Sequence, residues 1–171
     1  FPIGSSYYPP MHDAQDWTRD TANMQKAGLN MIRTAELITS WDYIEPRRGQ
    51  PEFEWLDRIF ELAADNKIQV VLGTGSCNPP IWMLEHYPDL QRVSREGVKY
   101  PINTVWSWAC VNHPGLRNEV SRYVTLLLER YSQNPTLYCW QIDNQIGQGT
   151  AFTEAEHSHQ RRYGYWCYCD H

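Results

Sequence analysis

The sequence predicts an α/β fold with a parallel sheet. Two observations carry that expectation. Short apolar runs alternate with helical patterns along the chain, and polar, chemistry-bearing residues collect directly after the apolar runs. The 171 residues, 42% of them hydrophobic, are enough for one domain with a sizeable core.

The elements follow in order. Pro2 to Tyr8 reads as a short strand closed by Pro9-Pro10. Asp13 can cap a helix reaching about Ala27, with Trp17, Thr21, Met24 and Gly28 on one face. Leu29 to Thr34 is a second strand. Trp55, Leu56, Ile59, Phe60, Leu62 and Ala63 keep helical spacing, and Ile68 to Leu72 is a third strand rich in β-branched residues. Pro79-Pro80 opens a short helix. Leu116, Val120, Tyr123, Val124, Leu127, Leu128 and Tyr131 form the cleanest amphipathic stripe, and Leu137 to Asp143 is the fourth strand. Four such units make either an open sheet or half of an eight-stranded barrel, whose full form needs about 200–250 residues. No G-x-G-x-x-G follows the first strand and no Walker-type loop occurs, which removes support for a nucleotide site.

Lys and Arg number 15 against 20 Asp and Glu, a formal charge of −5, which argues against a nucleic-acid binder. Nothing reaches the ~18–20 apolar residues of a membrane span. The start, Phe1-Pro2-Ile3-Gly4, has no initiator Met, basic region or apolar leader, and reads as mature, excised or fragmentary. The unpaired cysteines favour a cytoplasmic setting. Eight Trp and eleven Tyr fit core packing, or a site that stacks the flat faces of sugar rings.

In parallel α/β architectures chemistry gathers at the strand ends. After strand two come Arg33, Thr34, Ala35 and Glu36, then Trp41 and Ile44-Glu45-Pro46. After strand three comes Gly73-Thr74-Gly75-Ser76-Cys77-Asn78, and after strand four Asp143-Asn144-Gln145. Asn144 can hydrogen-bond a sugar hydroxyl. Gln145 donates and accepts hydrogen bonds but cannot deliver a proton at neutral pH. Arg33 and Glu36 fit a substrate site or a structural ion pair. Glu45 reads as structural, and Trp41 and Trp82 divide evenly between core and sugar platform.

Five cysteines cannot all pair internally. Cys77 and Cys139 read as small buried hydrophobes. Cys110 and the pair Cys167-Tyr168-Cys169 have a spacing that suits Zn²⁺, and that also arises by chance. Glu154, Glu156, His157 and His159 read as a solvated insertion rather than a metal site.

Taken in order, Tyr7-Tyr8-Pro9, Asn30-Met31-Ile32-Arg33-Thr34-Ala35-Glu36, Ile44-Glu45-Pro46-Arg47-Arg48-Gly49, Phe53-Glu54-Trp55-Leu56-Asp57, Leu72-Gly73-Thr74-Gly75, Pro79-Pro80-Ile81-Trp82, Glu129-Arg130-Tyr131 and Trp140-Gln141-Ile142-Asp143-Asn144 resemble family 42 of the glycoside hydrolases. The resemblance implies a TIM (β/α)₈ barrel, of which residues 1–171 hold about the first half, strands one to four with their helices, ending after the strand-four loop. It implies a retaining β-galactosidase acting on terminal β-D-galactosyl residues. Of its two glutamates, the acid/base follows an Asn at the end of strand four and the nucleophile follows strand seven. That assigns Arg33, Glu36, Asn144 and Trp106 to the substrate and Gln145 to the acid/base position.

Gln145 keeps the shape of Glu without its proton, so the chain alone is expected to be inactive, because general acid–base catalysis is worth ~10²–10⁴-fold. Many relatives carry Arg where Trp106 stands. A non-catalytic carbohydrate binder and a zinc-stabilised structural module are the alternatives. The resemblance also implies a structural zinc held by Cys110, Cys167 and Cys169, with a fourth cysteine a few residues later or His171 in its place, and no cofactor for the chemistry. The expected partners are a β-galactoside or oligosaccharide and copies of the chain, a trimer in the family, with no nucleic acid and no membrane. Half a barrel leaves strand edges open to other chains, so the isolated chain is expected to associate.

Overall fold

The computed structural model describes residues 1–36, 40–76, 78–102, 108–144 and 167–171. Four strands, β1 (Gly4–Ser6), β2 (Met31–Thr34), β3 (Gln69–Gly73) and β4 (Leu137–Gln141), form one sheet in the order β1-β2-β3-β4. Every neighbouring pair is parallel. The connections carry α1 (Trp17–Lys26), a short α2 (Trp41–Ile44), α3 (Glu54–Asp65), a short α4 (Met83–His86) and α5 (Pro114–Tyr131). Each strand is a little shorter than its apolar run, because pairing stops where the chain turns toward the next helix.

Register fixes the two faces. Ile32 pairs with Val70 and Thr34 with Leu72, so these four side chains share one face, and all are fully buried. The core lies on that side, where α3 contributes Leu56, Ile59, Phe60, Leu62 and Ala63 and α5 contributes Leu116, Tyr123, Leu127 and Tyr131. Ser6 pairs with Arg33, Arg33 with Val71, and Gly73 with Gln141, so these residues line the opposite face. An irregularity between Val70 and Val71 lets β4 pass Tyr138 and pair Val71 with Cys139. Cys139, expected to be buried, is exposed, because β4 has no neighbour on its far side among the described residues.

The aromatic excess is largely core. Trp41 is fully buried and stacks on Tyr123, with ring centroids 4.5 Å apart. Trp82 meets Trp41 edge-on and donates from Nε1 to the Glu45 carbonyl at 2.9 Å. Both tryptophans are therefore structural. Glu45 is structural too. Its wholly buried carboxylate accepts from Trp41 Nε1 (2.9 Å), Gly49 N (2.6 Å) and Arg122 Nη2 (2.7 Å). Arg122 also pairs with the buried Glu119, which Arg48 holds from its other oxygen. Asp13 stands ahead of a 3₁₀ turn before α1 but makes no side-chain cap, whereas His113 caps α5, its Nδ1 accepting from Gly115 N (3.0 Å) and Leu116 N (3.4 Å).

Two carboxylates give the fold an acid limb. At Asp57 burial opposes ionisation, but hydrogen bonds from Arg130 and Tyr131 outweigh it and hold the pKa below its ordinary value. Glu119 is lowered in the same way, against its burial, by Arg48 and Arg122. A carboxyl depressed in the folded state stabilises above its unfolded pKa and loses that contribution as pH falls through the folded value. The stability advantage of the unchanged protein over Asp57→Asn is therefore full at pH 7 and shrinks below about pH 4. Melts of both proteins from pH 7 to 3 measure it, and an advantage constant across that range contradicts the assignment.

Candidate functional site

The half-exposed face of the sheet carries a polar cluster at the C-terminal ends of its strands. Ser6 ends β1, and its Oγ accepts from Arg33 Nε (3.2 Å) and Nη2 (2.8 Å). Beyond β2 the chain turns through Ala35, which adopts a left-handed φ of 55° while fully buried. That turn delivers Glu36 to the cluster. Glu36 Oε1 takes Arg33 Nη2 at 2.9 Å and the Tyr8 hydroxyl at 2.7 Å. Burial and the Glu36 carboxylate together raise the Tyr8 pKa, so Tyr8 stays a neutral donor. Glu36 is 2% exposed and its Oε2 has no partner among the described residues. An oxygen buried without a donor is uncommon in a finished fold.

The second half of the cluster lies across β3. Gln141 Nε2 donates to the Asp143 carbonyl and to Asn144 Oδ1, both at 3.2 Å, while Gln141 Oε1 is buried without a partner among the described residues. Asn144 N donates to Asp143 Oδ1 at 2.7 Å, directly after the strand. The Asn144 Nδ2 donors have no partner among the described residues. Thr74, next to Gly73, ties the turns together, its Oγ1 donating to the Ile142 carbonyl at 2.7 Å. Arg33 and Glu36 thus touch one another, and Asn144 stands at the same end of the sheet, two strands along. Gln145 and Trp106 lie outside the described residues, as do Cys77 and the Glu154–His159 stretch.

A separate cluster contains the thiols. Cys110, Cys167 and Cys169 offer sulfurs that all lie within 4.8 Å of one another. Cys167 and Cys169 are 3.1 Å apart, and Cys169 and Cys110 are 3.4 Å apart. Residues 167–171 dock on the loop before α5, with Tyr168 N donating to the Val93 carbonyl (2.9 Å) and Val93 N donating to Cys167 Sγ (3.4 Å). Burial opposes the Cys167 thiolate, but hydrogen bonds from Cys169 and from backbone N–H groups lower its pKa. Burial and the Cys167 contact push Cys169 up to about 12. Three sulfurs with an N–H donor beside them could hold a thiolate-bound metal, although a zinc tetrahedron at ~2.3 Å from sulfur wants them about 3.8 Å apart, wider than two of these spacings.

His171 does not join the thiols. Its Nε2 meets Asp89 Oδ2 at 3.0 Å, and the other oxygen of Asp89 faces His113 Nε2 at 3.2 Å. This Asp-His-His group has ligand atoms but the wrong tautomer. His113 Nδ1 accepts from two backbone N–H groups, so Nε2 carries the proton and donates to Asp89. A ligating histidine instead offers one nitrogen to the metal and donates from the other.

A family model described as Beta-galactosidase matches residues 6–169. The chain belongs to that family. The β-galactosidase BgaA of Clostridium cellulovorans is 36% identical over 84% of this chain and 21% of its own length. The β-galactosidase Bga of Halorubrum lacusprofundi is 36% identical over 85% of this chain and 20% of its own. The solved β-galactosidase of H. lacusprofundi superposes with a TM-score of 0.79 at 35% identity, covering 86% of this chain and 22% of that one. The chain thus spans about a fifth of the length of the relatives it matches. The β-galactosidase relatives fix the architecture as well: the four-stranded sheet corresponds to the first half of a TIM barrel. Among the described residues no helix is long and apolar enough to cross a membrane.

Arg33, Glu36 and Asn144 stand at the strand ends where the sequence put them. Sequence reasoning missed Tyr8 and Ser6 as partners of Glu36 and Arg33, although Tyr8 sits at the end of the first apolar run, where the same rule would have found it.

Proposed function

We propose that residues 1–171 form the N-terminal part of the catalytic barrel of a protein that binds terminal β-D-galactosides, with Arg33, Glu36 and Asn144 holding the sugar and Gln145 at the acid/base position. The observation that carries this reading is the pair of buried acceptors without a partner among the described residues, Glu36 Oε2 and Gln141 Oε1, with Asn144 held beside Gln141 at the C-terminal end of a parallel sheet. Sugar hydroxyls both donate and accept, so one ring can satisfy all three groups. The relatives are named β-galactosidases, which supports a galactoside as that sugar.

A retaining glycosidase needs a carboxylic acid to protonate the leaving oxygen and a carboxylate ~5–5.5 Å away to attack. Gln145 fills the acid's place without a transferable proton, which favours a binding role over turnover in the protein as it stands. A fully non-catalytic carbohydrate binder is the second reading, and Gln145 is the observation in its favour.

Two measurements on the full-length protein test the reading. Gln145→Glu raises hydrolysis of nitrophenyl β-galactoside by roughly 10²–10⁴-fold, and Arg33→Gln weakens galactose binding. Measurable and equal turnover with Gln or Glu at position 145 contradicts the acid/base assignment. No turnover even with Glu at 145, while Arg33→Gln still weakens galactose, selects the binder reading.

We further propose that Cys110, Cys167 and Cys169 hold a structural zinc away from the sugar cluster. Bound there, zinc would keep the three thiolates deprotonated and fasten residues 167–171 to the loop before α5. Metal analysis of the purified full-length protein is expected to find zinc that Cys110→Ser combined with Cys167→Ser removes, with galactose affinity unchanged. Zinc content that survives both substitutions contradicts this ligand set.

A further inference from the structure

Between the two halves of the sugar cluster lies a residue with no side chain. Gly73 ends β3 and pairs with Gln141 on β4, so a Cβ at position 73 would project on the same face as the Gln141 side chain. That Cβ would stand 2.6 Å from the Ala35 carbonyl oxygen and 2.7 Å from Glu36 Cβ. Neither neighbour can yield cheaply. Ala35 is backbone, fully buried, and already held at a left-handed φ of 55°. Glu36 is fixed at its far end by Tyr8 and Arg33. Two residues on, Gly75 at φ 63° repeats the device, since a Cβ there would overlap the Ser40 side chain ahead of α2. The strand-three loop thus receives the strand-two loop through two missing side chains.

We propose that Gly73 is a positioning residue of the sugar cluster. Its bare Cα forms the notch that seats Ala35 and the root of Glu36, and so sets where the Glu36 carboxylate meets Arg33 and where its free oxygen faces the ligand. The notch also separates two buried acceptors without partners among the described residues, Glu36 Oε2 on one side and Gln141 Oε1 on the other. A methyl group at position 73 would push Glu36 away from Arg33 and narrow the space between those acceptors. This rests on the galactoside reading above and adds to it a residue that touches no substrate yet governs the groups that do.

The test uses the full-length protein and methyl β-D-galactoside, with affinity from calorimetry and stability from melting. Glu36→Gln is expected to weaken binding by roughly ten- to hundredfold, the scale of a lost hydrogen bond to a charged group. Gly73→Ala is expected to weaken it by about tenfold or more. If Gly73 acts through Glu36, the double variant binds no more weakly than Glu36→Gln alone, because the effects of coupled residues do not add. Leu62→Ala, a core change on α3, lowers the melting temperature but leaves affinity intact. Unchanged affinity in Gly73→Ala, or a double variant showing the product of the two losses, overturns the proposal while leaving the site reading standing. Unchanged affinity in both Arg33→Gln and Glu36→Gln overturns the site reading and the proposal with it. Where Gly73→Ala does not fold, Glu36→Asp retracts the carboxylate by one methylene and leaves the notch alone. Position-dependent binding predicts a loss close to that of Glu36→Gln, and native affinity in Glu36→Asp overturns the proposal.

Discussion

A single buried carboxylate organises the upper part of the structure. Glu45 has no exposure and receives three donors, from Trp41, Gly49 and Arg122. An unpaired buried charge would be costly, and removing one partner of such a group typically costs about 3–5 kcal/mol. The saturation of Glu45 therefore commits the chain after β2 to one path. Trp41 is held against Tyr123, α5 is tied in through Arg122 and Glu119, and the loop between β2 and α2 is pinned at its far end. Its near end carries Ala35 and Glu36. The same loop that packs the core thus presents the polar cluster.

Much of this was legible in the sequence. Strand three is a short β-branched run, and the α5 stripe keeps helical spacing, so both declare their type locally. The four residues of α2 carry no complete helical period, so no helix could be read there from sequence. His113 was missed as a cap because it is not among the usual capping residues, and its role depends on a tautomer fixed by Asp89. Cys139 misled because its neighbours are apolar while its exposure depends on strand order. Arg33 and Glu36 were legible as strand-end polar residues. The notch at Gly73 was not, since two stretches about forty residues apart in sequence must meet before a missing side chain acquires meaning.

On the galactoside reading, one ion pair serves both structure and recognition. Arg33 and Glu36 form an ion pair at 2.9 Å, as a structural reading would have it. Yet among the described residues only part of each group is used: neither Glu36 Oε2 nor Arg33 Nη1 has a partner there. A purely structural pair would gain from satisfying those atoms, whereas a binding pair keeps them for hydroxyls. The thiol group, by contrast, sits on the loop before α5 and shares no hydrogen bond with the cluster among the described residues. That separation suits a fastening role rather than a chemical one.

The most direct measurement is a crystal structure of the full-length protein soaked with galactose. One sugar ring is expected at the C-terminal end of β2 to β4, with hydroxyls within hydrogen-bond distance of Glu36 Oε2 and Asn144 Nδ2 and beside the Arg33 guanidinium. A ring bound elsewhere, with Glu36 Oε2 still unmet, would contradict the galactoside reading.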